Sequence, residues 1–366
     1  MGQIRRWNNE ESLSEGITDT VLGGRMRIIH CADLHLDSVM TKHFDEETAA
    51  IRRRELLLDF ERMVEYAKEH RVQAILIAGD LFDTDVVSRM TAETVRRMIA
   101  SSEEIAFYYL RGNHDIHSVL REEPVPKNLH LFSKNPITYQ QEDVYITGAE
   151  GITDSLQLPE DGCQIVMLHG MDGKDFSLAK LQNTGIDYLA LGHLHTYQWG
   201  ALSEHGVYCY PGCLSGRGFD ECGEKGFVLL ETKGRKVLHT FIPFARRRLW
   251  DVPVDVSKPE EDVVSQIKKA TADIAKTDMV RVSLQGEVDS VGEWNLAYLQ
   301  MRFAEHFFVF QIKDRTALRL DMEALKKDRT MRGEFLRLVQ EQEMTDSKKK
   351  AIAQLGLRAL MGENLE

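Results

Sequence analysis

The stretch Leu110-Arg111-Gly112-Asn113-His114-Asp115 decides how the fold of this chain is interpreted. It ends an apolar run that begins at Ile105 and has the length and composition of a buried strand. An amide, an imidazole and a carboxylate then follow in three consecutive positions, and three such side chains cannot all point into a core. A turn at the mouth of a sheet can direct all three toward one small volume. The stretch therefore predicts a site in which Asn113 holds a metal, His114 contacts the substrate and Asp115 orients His114.

The segments before this stretch predict a parallel sheet. Apolar runs at Met26 to Ala32 and Gln73 to Ala78 are typical of strands, and Glu46 to His70 and Val86 to Ser101 are predicted helices between the strands. Ligands of a parallel sheet lie beyond the carboxyl ends of its strands. In this chain, polar residues of metal-binding type follow the predicted strands at those ends. They are Asp33, His35, Asp80, Asn113, His114, His169, His193 and His195.

The next part of the chain is predicted to be rich in strands. Short strands separated by turns occupy Leu129 to Thr147, and the runs Gln164 to Leu168 and Asp187 to Leu191 lead into the later histidines. The segments Tyr197 to Pro211 and Phe227 to Phe244 predict hairpins. We therefore expect an α/β fold in which two sheets face each other and helices lie outside them.

A change of composition near Arg246-Arg247-Arg248 marks the predicted end of the first domain. A second β-α-β-α-β pattern then runs to Leu320 without a cluster of metal-ligand residues, which predicts a small α/β domain. A charged, helical tail follows it, and a polar extension that we expect to be loosely ordered precedes the first strand. The predicted organisation is 1–25, 26–248, 249–320 and 321–366.

Composition excludes some classes of function. The 366-residue chain is 43% hydrophobic with a formal net charge of −12, so it is not a protein that coats nucleic acid by bulk charge. Its five scattered cysteines favour a reducing compartment and a cytoplasmic location. A zinc site at Cys209, Cys213 and Cys222 fits no familiar spacing, so free thiols are the preferred interpretation. No apolar run approaches the length of a membrane span.

Seven of the strand-end residues exceed what one transition metal needs. Asp80 follows a glycine and presents a carboxylate that can bridge two ions. In an extended segment, residues two apart point the same way, so Asp33 and His35 can hold one cation together, as can His193 and His195. We assign Asp33, His35, Asp80 and His195 to one ion, and Asp80, Asn113, His169 and His193 to the other. Imidazole and oxygen ligands without thiolate favour manganese, iron or zinc.

Two ions roughly 3.5–4 Å apart make a site for phosphoryl transfer. They acidify a bound water, neutralise phosphate oxygens and stabilise the attacking and leaving oxygens. His114 is then not needed as a ligand. It can stabilise the transition state or protonate the leaving oxygen, with Asp115 raising its basicity.

These motifs, in this order and spacing, resemble those of the calcineurin-like metallophosphoesterases. The set comprises Asp-x-His, Gly-Asp, Gly-Asn-His-Asp, a lone His and Gly-His-x-His, and the resemblance covers roughly Met26 to Phe244. It implies a four-layer α-β-β-α sandwich. It also implies the same seven metal ligands, with His114 and Asp115 as catalytic residues and hydrolysis by attack of a metal-bound hydroxide.

A narrower resemblance is to the bacterial DNA repair exonuclease branch, the SbcD/YhaO-like proteins. It implies a capping domain at 249–320, a manganese-dependent DNA nuclease with 3′-to-5′ exonuclease and some endonuclease activity, and an SMC-like coiled-coil ATPase as partner. A homodimer is left open, and the tail is closer to that of the YhaO-like members. The stretches that carry this resemblance are Ala32 to Ser38, Ala78 to Asp83, Leu191 to His195, Tyr210 to Cys213, Arg217 and Glu224 to Phe227.

Several side chains have two interpretations. Arg217 either contacts a substrate phosphate or is a solvated loop residue. Asp37 and Asp83 either support the metal site through hydrogen bonds or cap helices, and for Asp83 capping is preferred. The triplets Arg52-Arg53-Arg54 and Arg246-Arg247-Arg248 are solvated faces or, as the minority interpretation, DNA contacts, more so for the second.

Two functional alternatives stand beside the DNA nuclease. One is a phosphatase or phosphodiesterase that acts on a small molecule or a phosphoprotein, which a closed pocket over the metals would favour. The other is a phosphoesterase fold kept only as an interaction scaffold, and the complete ligand set argues against it. The apolar stripes of the tail either pack on the chain itself or dock on the coiled coil of a partner.

Overall fold

The structure, a computed structural model, describes residues 25–84, 86–151, 156–258, 261–288, 294–319 and 329–360. The strands are β1 (Arg27–Cys31), β2 (Ala74–Ala78), β3 (Ala106–Leu110), β4 (Leu129–Leu131), β5 (Ile137–Gln141), β6 (Val144–Gly148), β7 (Cys163–His169), β8 (Tyr188–Gly192), β9 (Gln198–Ala201), β10 (Val207–Tyr210), β11 (Gly226–Lys233), β12 (Lys236–Pro243), β13 (Leu249–Asp255), β14 (Met279–Gln285), β15 (Glu287–Val288), β16 (Val309–Asp314) and β17 (Ala317–Leu318). The helices are α1 (Glu46–Glu69), α2 (Arg89–Ala100), α3 (Leu178–Leu181), α4 (Val263–Ala270), α5 (Leu296–Phe303), α6 (Met331–Glu341) and α7 (Asp346–Leu360), with 3₁₀ turns at Val119–Arg121 and Ala304–His306.

Two six-stranded sheets form the first domain. The first sheet has the order β12-β11-β1-β2-β3-β4, in which β1 to β4 are parallel and the hairpin β11–β12 is antiparallel. The second has the order β5-β6-β7-β8-β10-β9, parallel except at its two edge strands. The predicted β-α-β-α-β start and both predicted hairpins are confirmed.

Successive residues of a strand point to opposite faces of its sheet. Each sheet therefore presents one set of apolar side chains to the other, and the two sheets pack face to face. Ile28 and Leu76 of the first sheet meet Ile165 and Met167 of the second in a buried core. On the outer face of the first sheet, a second core holds side chains of α1 and α2 such as Phe60. Short α3 and neighbouring loops cover the outer face of the second sheet. The expected α-β-β-α order of layers is therefore observed.

The region after Leu249 has its own sheet, β13-β14-β16, whose three strands are parallel. Its core is formed by α4 and α5 against that sheet, and strands β15 and β17 form a separate pair. Asp262 and Asn295 cap the first turns of these two helices. Leu249 and Met279 also belong to the outer core of the first domain, so the two regions are packed together.

One arginine of each triplet is held inside this assembly. Arg52 is fully buried and donates to Glu55, to Ser215 Oγ at 3.1 Å and to the Gly216 carbonyl at 2.9 Å. Arg247 reaches the same Glu55 at 2.7 Å and lies over the Phe308 ring. Glu55 pairs with both arginines at the junction of the two regions. For these two arginines, the interpretation as solvated surface residues and the interpretation as DNA contacts are therefore both wrong.

The tail forms two helices that pack against each other. Leu336 and Val339 of α6 contact Ala353 and Leu357 of α7, while Leu355 is 54% exposed. The chain thus buries part of both predicted stripes on itself. The predicted extension up to residue 24 and the tail residues 321–328 and 361–366 lie outside the described residues.

The described cysteines are all free thiols, and four of the five are buried. The interpretation as free thiols is therefore confirmed. Within the described parts of the chain, no helix combines the length and the apolar character needed to cross a membrane.

Candidate metal centre

The turns after β1 and β2 run side by side at the carboxyl end of the first sheet. Asp33 N donates to Gly79 O at 3.1 Å, and His35 N donates to Asp80 O at 3.0 Å. Asp33, His35 and Asp80 have φ angles of 52°, 46° and 50°, in the left-handed region that residues other than glycine rarely adopt. The expectation that Asp33 and His35 share a side because the segment is extended is wrong in its reason. A strained turn, fixed by the neighbouring strand end, brings them together.

One group of side chains gathers around two facing imidazoles. His35 Nε2 lies 3.2 Å from His195 Nε2. Asp33 Oδ1 is 3.8 Å from His195 Nε2, and Asp80 Oδ2 is 4.0 Å from His35 Nε2. This is the set that the sequence assigns to the first ion.

The outer nitrogens of these two imidazoles lie beside carboxylates. His35 Nδ1 lies 3.1 Å from Asp83 Oδ1, and His195 Nδ1 lies 2.7 Å from Glu221 Oε1. Carboxylates accept only, so the protons belong on Nδ1 and the Nε2 lone pairs face each other. Two lone pairs at that distance repel unless a proton or a metal ion lies between them, and the carboxylates of Asp33 and Asp80 beside the two nitrogens fit a metal ion.

A second group gathers around Asn113. Its Oδ1 lies 3.1 Å from His169 Nε2 and 3.1 Å from His193 Nδ1. His169 Nδ1 is bonded to the Ala78 carbonyl at 2.9 Å, which leaves Nε2 as the free lone pair. Asp80 Oδ2 is 3.3 Å from that Nε2. The same Asp80 oxygen therefore borders both groups, as a carboxylate that bridges two ions must.

Two glycines make this close approach feasible. A Cβ on Gly112 would lie 2.0 Å from Asp80 Oδ1, and one on Gly192 would lie 1.9 Å from the Ala78 carbonyl. Neither distance is compatible with a side chain. These glycines are required because the strand ends crowd around Asp80.

A buried carboxylate–guanidinium network supports the first group. Arg217 donates to Asp83 Oδ1 at 2.6 Å and to Glu221 Oε1 at 2.8 Å, and its side chain is only 17% exposed. It thereby links the carboxylates that hold His35 and His195. The interpretation of Arg217 as a solvated loop residue is wrong, and a direct phosphate contact stays a prediction.

The preferred interpretation of Asp83 as a helix cap is wrong, and Asp37, for which the sequence leaves both interpretations open, lies at the start of a helix. Asp83 contacts His35 and Arg217, so it supports the site and caps no helix. Asp37 accepts from Ser88 N at 2.6 Å and from the Thr91 hydroxyl at 3.2 Å, at the start of α2. The sequence does not reveal these two roles, because each aspartate contacts residues of an element to which it is not adjacent in the chain.

The sequence patterns did not identify Glu221 as a residue of the site. It lies in the irregular loop between β10 and β11, which also carries the acidic residues Asp220 and Glu224. The available signal is its spacing of four residues from Arg217, which forms an ion pair with it. Such a pair is common on surfaces, so the signal does not distinguish a site residue from a solvated one.

The predicted contact between Asp115 and His114 is wrong. The Asp115 carboxylate accepts from the backbone N–H of Gly112 at 2.8 Å and of Leu81 at 2.9 Å, and from the Tyr109 hydroxyl at 2.6 Å. It is buried beneath the turn and holds its backbone. His114 is 44% exposed, and its Nδ1 is bonded instead to the carbonyl of Asp83 at 2.9 Å.

Burial and charge act in opposite directions on the pKa values here. Burial raises the pKa of Asp33 to about 6 and lowers that of His35 to about 4. Burial also opposes ionisation of Asp80 and His169, but their mutual hydrogen bond, the neighbouring charges and the backbone hydrogen bonds together outweigh its effect on the two pKa values. The pKa of Asp80 falls to about 2, and that of His169 rises to about 9. In the absence of a cation, a proton on His169 balances part of the carboxylate charge, and a metal ion would displace it.

Comparison with known proteins agrees with this geometry. A model of the calcineurin-like phosphoesterase family matches residues 26–197, which include all eight strand-end residues. The metallophosphoesterase YhaO of Bacillus subtilis, described as uncharacterized, is 30% identical over 314 residues, 74% of each chain. The DNA double-strand break repair protein Mre11 of Methanosarcina acetivorans is 23% identical over 299 residues, 73% of this chain and 47% of that protein. The SbcD component of the nuclease SbcCD of Escherichia coli K12 is 25% identical over 277 residues, 57% of this chain and 65% of that protein.

Proposed function

This chain belongs to the calcineurin-like phosphoesterases, a family of metal-dependent hydrolases, and on that basis we propose that it is a two-metal phosphodiesterase that hydrolyses DNA. The observation that carries the proposal is the single Asp80 oxygen that borders two ligand groups. Bound there, two divalent cations supply acidification of water and neutralisation of phosphate charge. Asp33, His35 and His195 would hold one ion, and Asn113, His169 and His193 the other, with Asp80 shared.

His114 is the proposed proton donor to the leaving oxygen. Its ring lies edge-on to His35 with centroids 4.8 Å apart, beside the first ligand group. Its Nδ1–H donates to the Asp83 carbonyl, so Nε2 can take up a proton and release it at the reacting phosphate. Asp115 acts as a positioning residue, because it fixes the backbone turn that carries both Asn113 and His114.

The DNA part of the proposal is supported by the relatives. Mre11 is named as a DNA double-strand break repair protein, and SbcD is part of a nuclease. By analogy we propose 3′-to-5′ exonuclease activity with some endonuclease activity, manganese as the physiological metal and a coiled-coil ATPase as partner. A reducing, cytoplasmic location belongs to the same proposal and agrees with the free thiols.

A phosphodiesterase that acts on a small molecule is the second candidate. The observation in its favour is a cavity of about 610 Å³ that reaches Asn113, His169 and His193. Ligand pockets for small molecules are of roughly this size, about 300–1,000 Å³.

A manganese-dependent assay separates the two candidates. Purified protein is tested on single- and double-stranded DNA beside bis(4-nitrophenyl) phosphate, with and without a chelator. Cleavage of all three supports the DNA phosphodiesterase. Cleavage of the chromogenic diester alone confirms the chemistry but contradicts the DNA assignment and favours the small-molecule candidate. Metal-independent cleavage of any substrate contradicts the two-metal proposal.

A further inference from the structure

The cavity lies on one side of the candidate centre only. It is walled by the carboxyl ends of β3, β6 and β7 and shares Asn113, His169 and His193 with the second ligand group. His114, the proposed proton donor, does not line it. A phosphate at the centre therefore has its leaving oxygen near His114 and its other ester substituent free to enter the cavity.

Three cationic side chains and two carboxylates line the cavity, a small excess of positive charge; they are Arg111, Lys134, Lys174, Glu150 and Asp175. Glu150 is neutralised by ion pairs with Arg111 and Arg121. Lys134 and Lys174 also line the cavity, and within the described parts of the chain neither ammonium has a hydrogen bond or ion pair. The chain as a whole has a net charge of −12, so this concentration of cations is local. Cations placed beside a phosphate site attract a second anionic group.

The loop that carries Lys174 is closed by its own backbone. Asp175 N donates to Met171 O at 2.9 Å, and Gly173 N donates to Phe176 O at 2.9 Å. The Tyr210 hydroxyl anchors the loop through Gly170 O at 3.1 Å. The backbone of Lys174 is therefore fixed relative to His169, five residues earlier, so a ligand need not order the loop.

The cavity also has an apolar side. Phe176 is buried in its wall, and Ile116 is 49% exposed at its edge. A group with a flat or apolar body and a terminal anion suits both sides at once. A nucleotide unit combines a base and sugar with a phosphate at each end, and the volume of about 610 Å³ accommodates it.

We propose that this cavity is a subsite for the nucleoside that stays esterified to the scissile phosphate, and that Lys134 and Lys174 contact a second phosphate on that nucleoside. The inference deepens the endonuclease part of the proposed function and rests on it, because only a nucleoside inside a strand is flanked by two phosphates. The subsite recognises a nucleoside bisphosphate unit, which occurs both in a nucleic-acid strand and in small nucleotides. The two sources are separated experimentally.

Binding is the direct test. Deoxythymidine 3′,5′-bisphosphate and the two deoxythymidine monophosphates are titrated by calorimetry against the full chain in the presence of Mn²⁺. We expect the bisphosphate to bind at least about tenfold more tightly than either monophosphate, about 1.4 kcal/mol. The double variant Lys134→Met, Lys174→Met should lose this advantage, since methionine keeps the length of the side chain but not its charge. Lys127→Met, at an exposed lysine outside the cavity, is the matched control.

Equal affinity of the wild type for mono- and bisphosphate overturns the proposal, as does an advantage that survives in the double variant. Because calorimetry needs no turnover, this result is independent of whether DNA is cleaved. A thermal melt with Mn²⁺ checks that the double variant is folded.

Kinetic measurements distinguish whether the second phosphate belongs to a nucleic-acid strand or to a small nucleotide. For a single-stranded oligonucleotide that is blocked at its 3′ end and can be cut only internally, we expect the double variant to raise KM about tenfold with little change in kcat. Its kcat/KM for bis(4-nitrophenyl) phosphate, which has no second phosphate, should fall much less than its kcat/KM for the oligonucleotide. An unchanged KM for the oligonucleotide overturns the assignment to a nucleic-acid strand. If the wild type cleaves no DNA while the bisphosphate advantage remains, the proposed nuclease function fails and the subsite stands.

Discussion

His114 stands beside the ligand groups with an exposed ring, and it can be altered without removing a predicted metal ligand. We expect His114→Ala to keep both ions and to lower kcat on the chromogenic diester by about 10²–10⁴, the usual contribution of a general acid. Metal content is measured by elemental analysis and turnover by absorbance. His205→Ala, at an exposed histidine away from the site, is the control. Full activity of His114→Ala would exclude the proposed proton donor.

Asp33 illustrates how a metal ligand destabilises the metal-free protein. Its pKa rises from 3.8 to about 6 on folding. Stability from such a group is complete below pH ~4, the range of the unfolded pKa, and is lost as pH rises through 6. Each pKa unit corresponds to about 1.4 kcal/mol, so the buried carboxylate costs ~3 kcal/mol at neutral pH.

Asp33→Asn should therefore melt higher than the wild type above pH 6 in a chelator and should equal it near pH 4. The asparagine oxygen can still accept from His193 N, as the carboxylate does at 2.9 Å. Mn²⁺ should raise the melting temperature of the wild type more than that of the variant. Asp220→Asn, at an exposed aspartate, controls for the change of net charge. A variant that is less stable than the wild type at pH 7 contradicts this account.

The loop after β10 is the element that sequence reasoning undervalued. It supplies Arg217 and Glu221, which hold His195 and, through Asp83, His35. Side chains that orient metal-bound histidines typically contribute 10- to 100-fold to metal affinity. The loop is thus part of the centre although none of its residues belongs to either predicted ligand set.

Glu221→Gln should weaken Mn²⁺ binding by about 10–100-fold, because the amide cannot stabilise His195 as the carboxylate does. The affinity is measured by calorimetric titration of the metal-free protein. Glu224→Gln lies three residues away, removes the same charge at an exposed position and should leave the affinity unchanged. Equal losses in both variants would mean that net charge, and not the contact with His195, is responsible.

The positions of the strand ends could be predicted from the sequence, whereas the contacts of the side chains that follow them could not. The apolar runs before Asp33, Asp80 and Asn113 identify parallel strands, and the topology then brings their ends to one edge. The direction of an individual side chain depends on the local turn, and so Asp115 faces Tyr109 and not its neighbour His114. Asp83 likewise pairs with Arg217, 134 residues away, which no local pattern reveals.

At the scale of the molecule, the candidate centre joins the two sheets. The first sheet supplies Asp33, His35, Asp80 and Asn113, and the second supplies the remaining histidines at the ends of β7 and β8. A ligand that binds only the native state stabilises it by about 2.7 kcal/mol at a concentration 100 times its Kd. Metal ions that bridge both sheets should therefore stabilise the entire two-sheet domain rather than one turn.

We accordingly expect Mn²⁺ to slow amide hydrogen exchange at the carboxyl ends of β1, β2, β7 and β8 together, and a chelator to reverse this. Asp80→Asn should abolish the effect on both sheets, because Asp80 borders both ligand groups. His193→Ala belongs to one group only and should leave the first ion and its protection of β1 in place. If Asp80→Asn still binds one ion and keeps part of the protection on both sheets, the carboxylate serves a single ion, and the shared site is replaced by two independent ones.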